Sequence, residues 1–256
     1  MQGLRAHLGR ARPLISMTRI VGKSLIGTPC CHSVYYTPLY GSINYSATAY
    51  WTDGYKENSL ATSVDGLRKC KCGAFYFLKD AVGLGTNTDP DIQPAQPVLA
   101  ADLADATLSD QKPIELAARL AYWHYLNHPY REQYRAHRDK LNKKPTRIQA
   151  LSKNLLDWMT INKKPPADPN KPFSMPDYQP SQLQIDNMER LLELLLNIEN
   201  EAKTNLIDIA EIYRELGRID QASAALDMHT GVNDQRRKDA VRFLIKDRLT
   251  GPARHR

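Results

Sequence analysis

Cysteine is scarce in this chain and confined to one stretch: four residues in 256, all of them between Cys30 and Cys72. Also missing is any apolar run of about 18 residues, the length a membrane-crossing helix requires. The longest apolar cluster, Leu191 to Ile198, is broken by Glu193 and Asn197. The first 24 residues hold no acid, little serine and no apolar core of a secretory signal. There is no phosphate loop, dinucleotide fingerprint or nucleophile elbow, since Gly83-Leu84-Gly85 lacks the further glycines and following helix of such motifs. These absences exclude a helical membrane span and point to no enzyme class. The expectation is a non-enzymatic protein in a reducing compartment, the cytoplasm. There, clustered cysteines read as metal ligands before disulfides.

The cysteines form two groups, Thr28-Pro29-Cys30-Cys31-His32 and Cys70-Lys71-Cys72-Gly73. Two sulfur-bearing loops joined by a β-rich segment are what a structural Zn2+ site needs, because tetrahedral zinc takes four donors and thiolates supply them. Cys30, Cys31, Cys70 and Cys72 are the candidate ligands. Adjacent side chains tend to point apart, so His32 is an alternative donor alongside Cys30. Gly73 suits a knuckle whose tight turn requires positive φ. The spacing, an adjacent pair and a Cys-x-Cys, departs from the paired Cys-x-x-Cys of a zinc ribbon. No acid stands beside a ligand as a general base would, which disfavours a catalytic metal.

Between the loops, Val34 to Tyr50 reads as one or two strands interrupted by Pro38 and Gly41. Asp53-Gly54 suits a hairpin turn, with Trp51 expected to cover the metal knuckle. Gly73 to Leu78 is the strongest strand. Residues 83–112 read as a linker with a short helix at Ala100 to Ala106. Helices are expected after Pro113, from Tyr134 to Leu141, and after Pro145, with Pro129 ending the first. Six prolines between Thr160 and Pro180 make an extended connection. His124 and His128 lie one helical turn apart, but Tyr125 stands where a zinc protease carries glutamate, so a structural or solvent-facing role is expected.

The net charge of +7 is unevenly distributed. Five basic residues, Arg5, Arg10, Arg12, Arg19 and Lys23, fall within the first 24 positions, and Met17 offers a second start after an extension of 16 residues. Arg131 to Lys171 holds eleven Lys and Arg against four acids. Such a segment reads as solvated helix faces and linker, or as a nucleic-acid surface built from Arg131, Arg135, Arg138, Lys143, Lys144 and Arg147.

The C-terminal block is the most periodic, with apolar residues at Leu183, Met188, Leu191, Leu192, Leu195 and Leu196. In the next segment Ala210, Tyr213, Gly217, Ala222 and Leu226 fall at the small, aromatic, turn-glycine, small and large positions of a helical hairpin. This pattern resembles a single tetratricopeptide repeat. The resemblance implies a protein-binding role, with Leu183 to Ala202 and Asp234 to Leu249 standing in for neighbouring repeats. Together with the cysteine loops it resembles a bacterial-type zinc-ribbon and helical-repeat adaptor. The expected fold is therefore α+β: a basic extension (1–24), a zinc-ribbon-like β module (25–82), a linker (83–112), a helical region (113–162), a proline-rich linker (163–180) and a tetratricopeptide-like block (181–249). A protein partner is expected, with Arg214, Arg218 and Arg237 as exposed candidates for its surface.

Overall fold

The computed structural model describes residues 18–59, 66–86, 91–142, 178–197, 205–231 and 234–255. The fold is α+β, with small antiparallel sheets and several helices. The chain forms two compact units. One comprises residues up to Ser46 and from Ser59 to Gln96; the other comprises Ala47–Asn58 and everything from Pro97 onward. The chain thus leaves the first unit to contribute a hairpin to the second, and then returns. The basic extension before Thr18, the helix expected after Pro145 and nearly all of the proline-rich connection lie outside the described residues.

In the first unit, β1 (Arg19–Gly27) pairs antiparallel with β2 (Val34–Ser42). The pair is joined by the first cysteine loop, with Gly27 opposite Val34. A second hairpin is made by β5 (Leu67–Lys69) and β6 (Phe75–Phe77), in register Lys69 to Phe75, and carries the second cysteine loop at its tip. β7 (Val82–Thr86) flanks β1 on its other side, so Gly83 and Gly85 lie in a strand rather than in a linker. β2 runs unbroken through Pro38 and Gly41, contrary to the expected interruption. It is the outer strand in the order β2-β1-β7. At a sheet edge a proline costs no ladder hydrogen bond on the open side, which explains the tolerance.

Among the described residues, the regular structure of the second unit is helical apart from the hairpin of β3 (Ala49–Tyr50) and β4 (Lys56–Glu57). The helices described in it are α1 (Ala100–Ala106), α2 (Lys112–Leu126), α3 (His128–Asn142), α4 (Gln182–Leu196), α5 (Leu206–Glu215), α6 (Ile219–Asp227) and α7 (Gln235–Lys246). Pro113 occupies the first turn of α2, as its missing N–H permits. Pro129 does the same in α3, so it opens the basic helix instead of separating it from a later start. Ser181 and Gln184 form a reciprocal capping box at the start of α4. Apolar stripes of α2, α4, α5, α6 and α7 meet in one core containing Trp123, Met188, Leu191, Leu195, Ile209, Ile212, Leu226 and Val241. Ala210 and Ala222 are fully buried there, and Gly217, with φ of 75°, turns the chain between α5 and α6.

A second cluster gathers Ala49, Trp51, Tyr130, Tyr134, Tyr178, Leu244 and Ala253. Trp51 stacks edge-on against Tyr134, with ring centroids 5.0 Å apart. Its place in this core overturns the expectation that it covers the cysteine knuckle. The C-terminal segment pairs with the same hairpin: Thr52 donates its N–H to the Ala253 carbonyl at 2.9 Å, and the His255 N–H reaches the Tyr50 carbonyl at 2.9 Å.

Under this hairpin lies a buried polar network. Asp53, at the turn that reads as an ordinary Asp-Gly, is completely buried and pairs with buried Arg131 at 2.5 Å. The Asn127 amide donates to Asp53 at 3.3 Å and to Glu215 at 3.1 Å. Glu215 Oε2 also accepts from Trp123 Nε1 at 2.9 Å and from Tyr178 Oη at 3.0 Å. Burial would raise the Asp53 carboxyl, but the Arg131 guanidinium, with His124, the Tyr55 N–H and Asn127, holds it below its ordinary value. Glu215 goes the other way. Burial first, then the charges of Glu211 and Asp53, push its carboxyl up to about 8 despite Arg214 and the Trp123 donor.

A carboxyl raised on folding contributes stability that is complete below its ordinary value of 4.5 and is lost as pH rises through about 8. In urea denaturation between pH 5 and pH 8, the stability of the wild type relative to Glu215→Gln should therefore fall with rising pH. Its slope should be at most about 1.4 kcal/mol per pH unit. A difference independent of pH would show that Glu215 stays ionised throughout.

Candidate metal centre

The four cysteines come together at the tips of the two hairpins of the first unit. Each tip is closed by backbone hydrogen bonds. Around the first, Thr28 N–H donates to the Ser33 carbonyl at 2.9 Å and His32 N–H to the Thr28 carbonyl at 3.1 Å. Around the second, Cys70 N–H donates to the Ala74 carbonyl at 2.8 Å and Gly73 N–H to the Cys70 carbonyl at 2.9 Å. Gly73 has φ of 90°, the positive value its place after Cys72 implies. His32 adopts a left-handed φ of 56°, so the chain bends sharply just after Cys31. In this turn, unlike in an extended strand, adjacent Cys30 and Cys31 both direct sulfur to one point.

The four Sγ atoms all lie within 4.8 Å of one another. Cys31 and Cys70 are 3.4 Å apart, Cys30 and Cys72 3.5 Å, and Cys30 and Cys31 4.0 Å. A tetrahedral zinc with metal–sulfur bonds near 2.3 Å has sulfur–sulfur edges of about 3.8 Å, so these separations bracket the requirement. The donor set is Cys30, Cys31, Cys70 and Cys72, without His32. It can hold a metal ion.

Hydroxyl groups surround the sulfurs. Ser33 Oγ lies 2.9 Å from Cys31 Sγ, and Thr28 Oγ1 lies 3.8 Å from Cys31 Sγ and 3.7 Å from Cys70 Sγ. Tyr35, from β2, accepts the Lys71 N–H at 2.9 Å and so ties one hairpin to the tip of the other. Burial raises the Cys70 thiol, but the Cys72 N–H, Thr28 and the neighbouring thiols outweigh it and bring it down to about 6. The Ser33 hydroxyl and N–H lower Cys31. Cys30 is pushed up to about 12, by desolvation and then by the sulfurs of Cys72, Cys70 and Cys31, against the Thr28 hydroxyl. Four crowded thiols thus begin to ionise easily and finish with difficulty, which is the electrostatic condition that a cation relieves. Thr28, Ser33 and Tyr35 were not singled out by spacing. Their only sequence signal is a hydroxyl-bearing residue beside or near a cysteine.

The other sequence candidates lie in the second unit. Arg214 is fully buried and grips Glu211 through two bonds, 2.9 Å from Nε and 2.6 Å from Nη2. Arg237 is largely buried, donating to the Thr52 carbonyl at 2.8 Å and pairing with Asp208. Both are interior struts, which corrects their assignment to an exposed partner surface. The helical period marks a face of α5 but not what packs over it. Arg218 is at the surface, where it pairs with Glu189. Of the basic segment, Arg131 is buried and Arg135 pairs with Glu57 at 3.0 Å, while Arg138 lines a small cleft with Asp139 and Arg254. Lys143, Lys144 and Arg147 lie outside the described residues. His124 donates from Nε2 to the Asp53 carbonyl at 2.9 Å, and exposed His128 stands 3.9 Å from Glu132.

No family model, no curated protein and no solved structure matches the chain. Among the described residues, no helix is long and apolar enough to cross a membrane.

Arg214→Ala should leave Glu211 as an unpaired buried charge and cost about 3–5 kcal/mol in denaturant unfolding. Arg218→Ala should change stability by no more than about 0.5 kcal/mol, because its ion pair is solvent-exposed. Equal effects of the two substitutions would contradict the burial difference.

Proposed function

We propose that the chain is a non-enzymatic adaptor whose small β unit is organised by one structural zinc ion. The observation that carries this reading is the convergence of four sulfur atoms from two hairpin tips. Four thiolates complete a tetrahedral shell and leave no open position for substrate or attacking water, as structural rather than catalytic zinc sites do. Sulfur-only donor sets suit zinc, and they exclude magnesium and calcium, which take oxygen. Four free thiols suit a reducing compartment, the cytoplasm.

The adaptor half of the reading rests on the α5–α6 hairpin. The buried Ala210 and Ala222, the partly buried Tyr213 and the left-handed Gly217 support its likeness to a tetratricopeptide unit. The role implied is protein binding through the helical unit, with Arg218 as the remaining surface candidate.

Elemental analysis of protein purified without added metal should find about one zinc per chain. Cys70→Ser and Cys72→Ser should each lose it and selectively unfold the β unit, because metal-binding energy in such small modules is folding energy. Zinc content unchanged in both variants would refute the metal reading. For the adaptor role, Arg218→Ala should weaken capture of a co-purifying protein while the melting temperature stays put.

A further inference from the structure

An exposed thiolate cluster has a second chemistry besides metal binding. Cys30, Cys31 and Cys72 are all solvent-exposed, and only Cys70 is buried. Thiolates accessible to solvent are the ones that oxidants reach, so this site does not shield its ligands as a buried structural centre would. The sulfurs also lie unequally. The shortest separations are Cys31 to Cys70 at 3.4 Å and Cys30 to Cys72 at 3.5 Å, and each pair spans from one hairpin to the other. Within the first loop, Cys30 and Cys31 are 4.0 Å apart. A disulfide between these neighbours would close an eight-membered ring and force the intervening peptide from its ordinary planar geometry.

We propose that the cluster is a redox-sensitive site, at which a peroxide expels the metal and closes two disulfides, Cys31–Cys70 and Cys30–Cys72. The proposal rests on the zinc reading given above. In the first step an exposed thiolate such as Cys31 attacks the peroxide O–O bond. Sulfur gains an oxygen as sulfenic acid, and the peroxide leaves as alcohol or water. Cys70 then attacks the sulfenic sulfur, the S–S bond forms, and hydroxide leaves as water after taking up a proton. Cys30 and Cys72 repeat the sequence. With hydrogen peroxide, two equivalents and four protons convert the four-thiolate zinc complex into two disulfides, one free zinc ion and four waters. Each disulfide joins the two tips that the metal had joined, so the hairpins stay tethered. The local charge changes from two negative to zero as the ion departs.

The test uses the full chain, with its zinc content measured before oxidant is added. Titration with hydrogen peroxide in the presence of a colorimetric zinc indicator should release one zinc per two equivalents, with loss of all four free thiols. Peptide mapping without reduction should then recover Cys31–Cys70 and Cys30–Cys72, and dithiothreitol with zinc should restore the starting state. A protein that lacks metal at the outset overturns the zinc reading and the switch with it. A protein that holds zinc but retains it under peroxide, forms a Cys30–Cys31 link, or goes directly to sulfinic acids overturns the switch alone.

Discussion

The helical unit depends on an ion pair that has no access to water. Asp53 and Arg131 are both essentially unexposed, and each would be costly to bury alone. Together they fix a hairpin tip over the start of α3, and Asn127 carries the connection onward to Glu215 in α5. A buried charge tolerates few arrangements, whereas apolar surfaces can slide. The network therefore specifies how the hairpin, α2, α3 and α5 meet, while the surrounding Trp, Tyr and Leu side chains supply most of the burial free energy.

The same logic explains why the C-terminal segment is held so closely. Arg214 bonds to the Leu249 carbonyl as well as to Glu211, and the Thr52 backbone and hydroxyl both bond to Ala253. A hairpin of two-residue strands has little stability of its own. Here it gains a bridging segment from residues 253–255 and an ionic anchor beneath its turn. Residues near 50, 130, 215 and 253 thus act as one structural element.

The β unit answers a different constraint. Many of its apolar side chains, including Ile20, Val82 and Leu84, are exposed. Such a unit buries too little surface to rely on a core, and small modules of this kind use metals or disulfides as cross-links. The convergence of two hairpin tips on four sulfurs, with hydroxyls from Thr28, Ser33 and Tyr35 around them, supplies a place for one.

Local chemistry was legible in the sequence. The α+β class, the cysteine loops, the positive φ of Gly73, and the helices at Ala100–Ala106 and after Pro113 all follow from residue type and short-range periodicity. The tetratricopeptide resemblance implied a close helix contact at Ala210 and Ala222, and both are buried. Partnership over long sequence separations was not legible. Nothing local distinguishes Asp53 from any Asp-Gly turn, or the buried Arg214 and Arg237 from the exposed Arg218. Arg214 and Arg218 lie four positions apart in sequence with the same side chain. Whether an arginine is an interior strut or a surface charge is decided by what packs over it. That covering comes from residues tens to hundreds of positions away, which only the tertiary structure brings together.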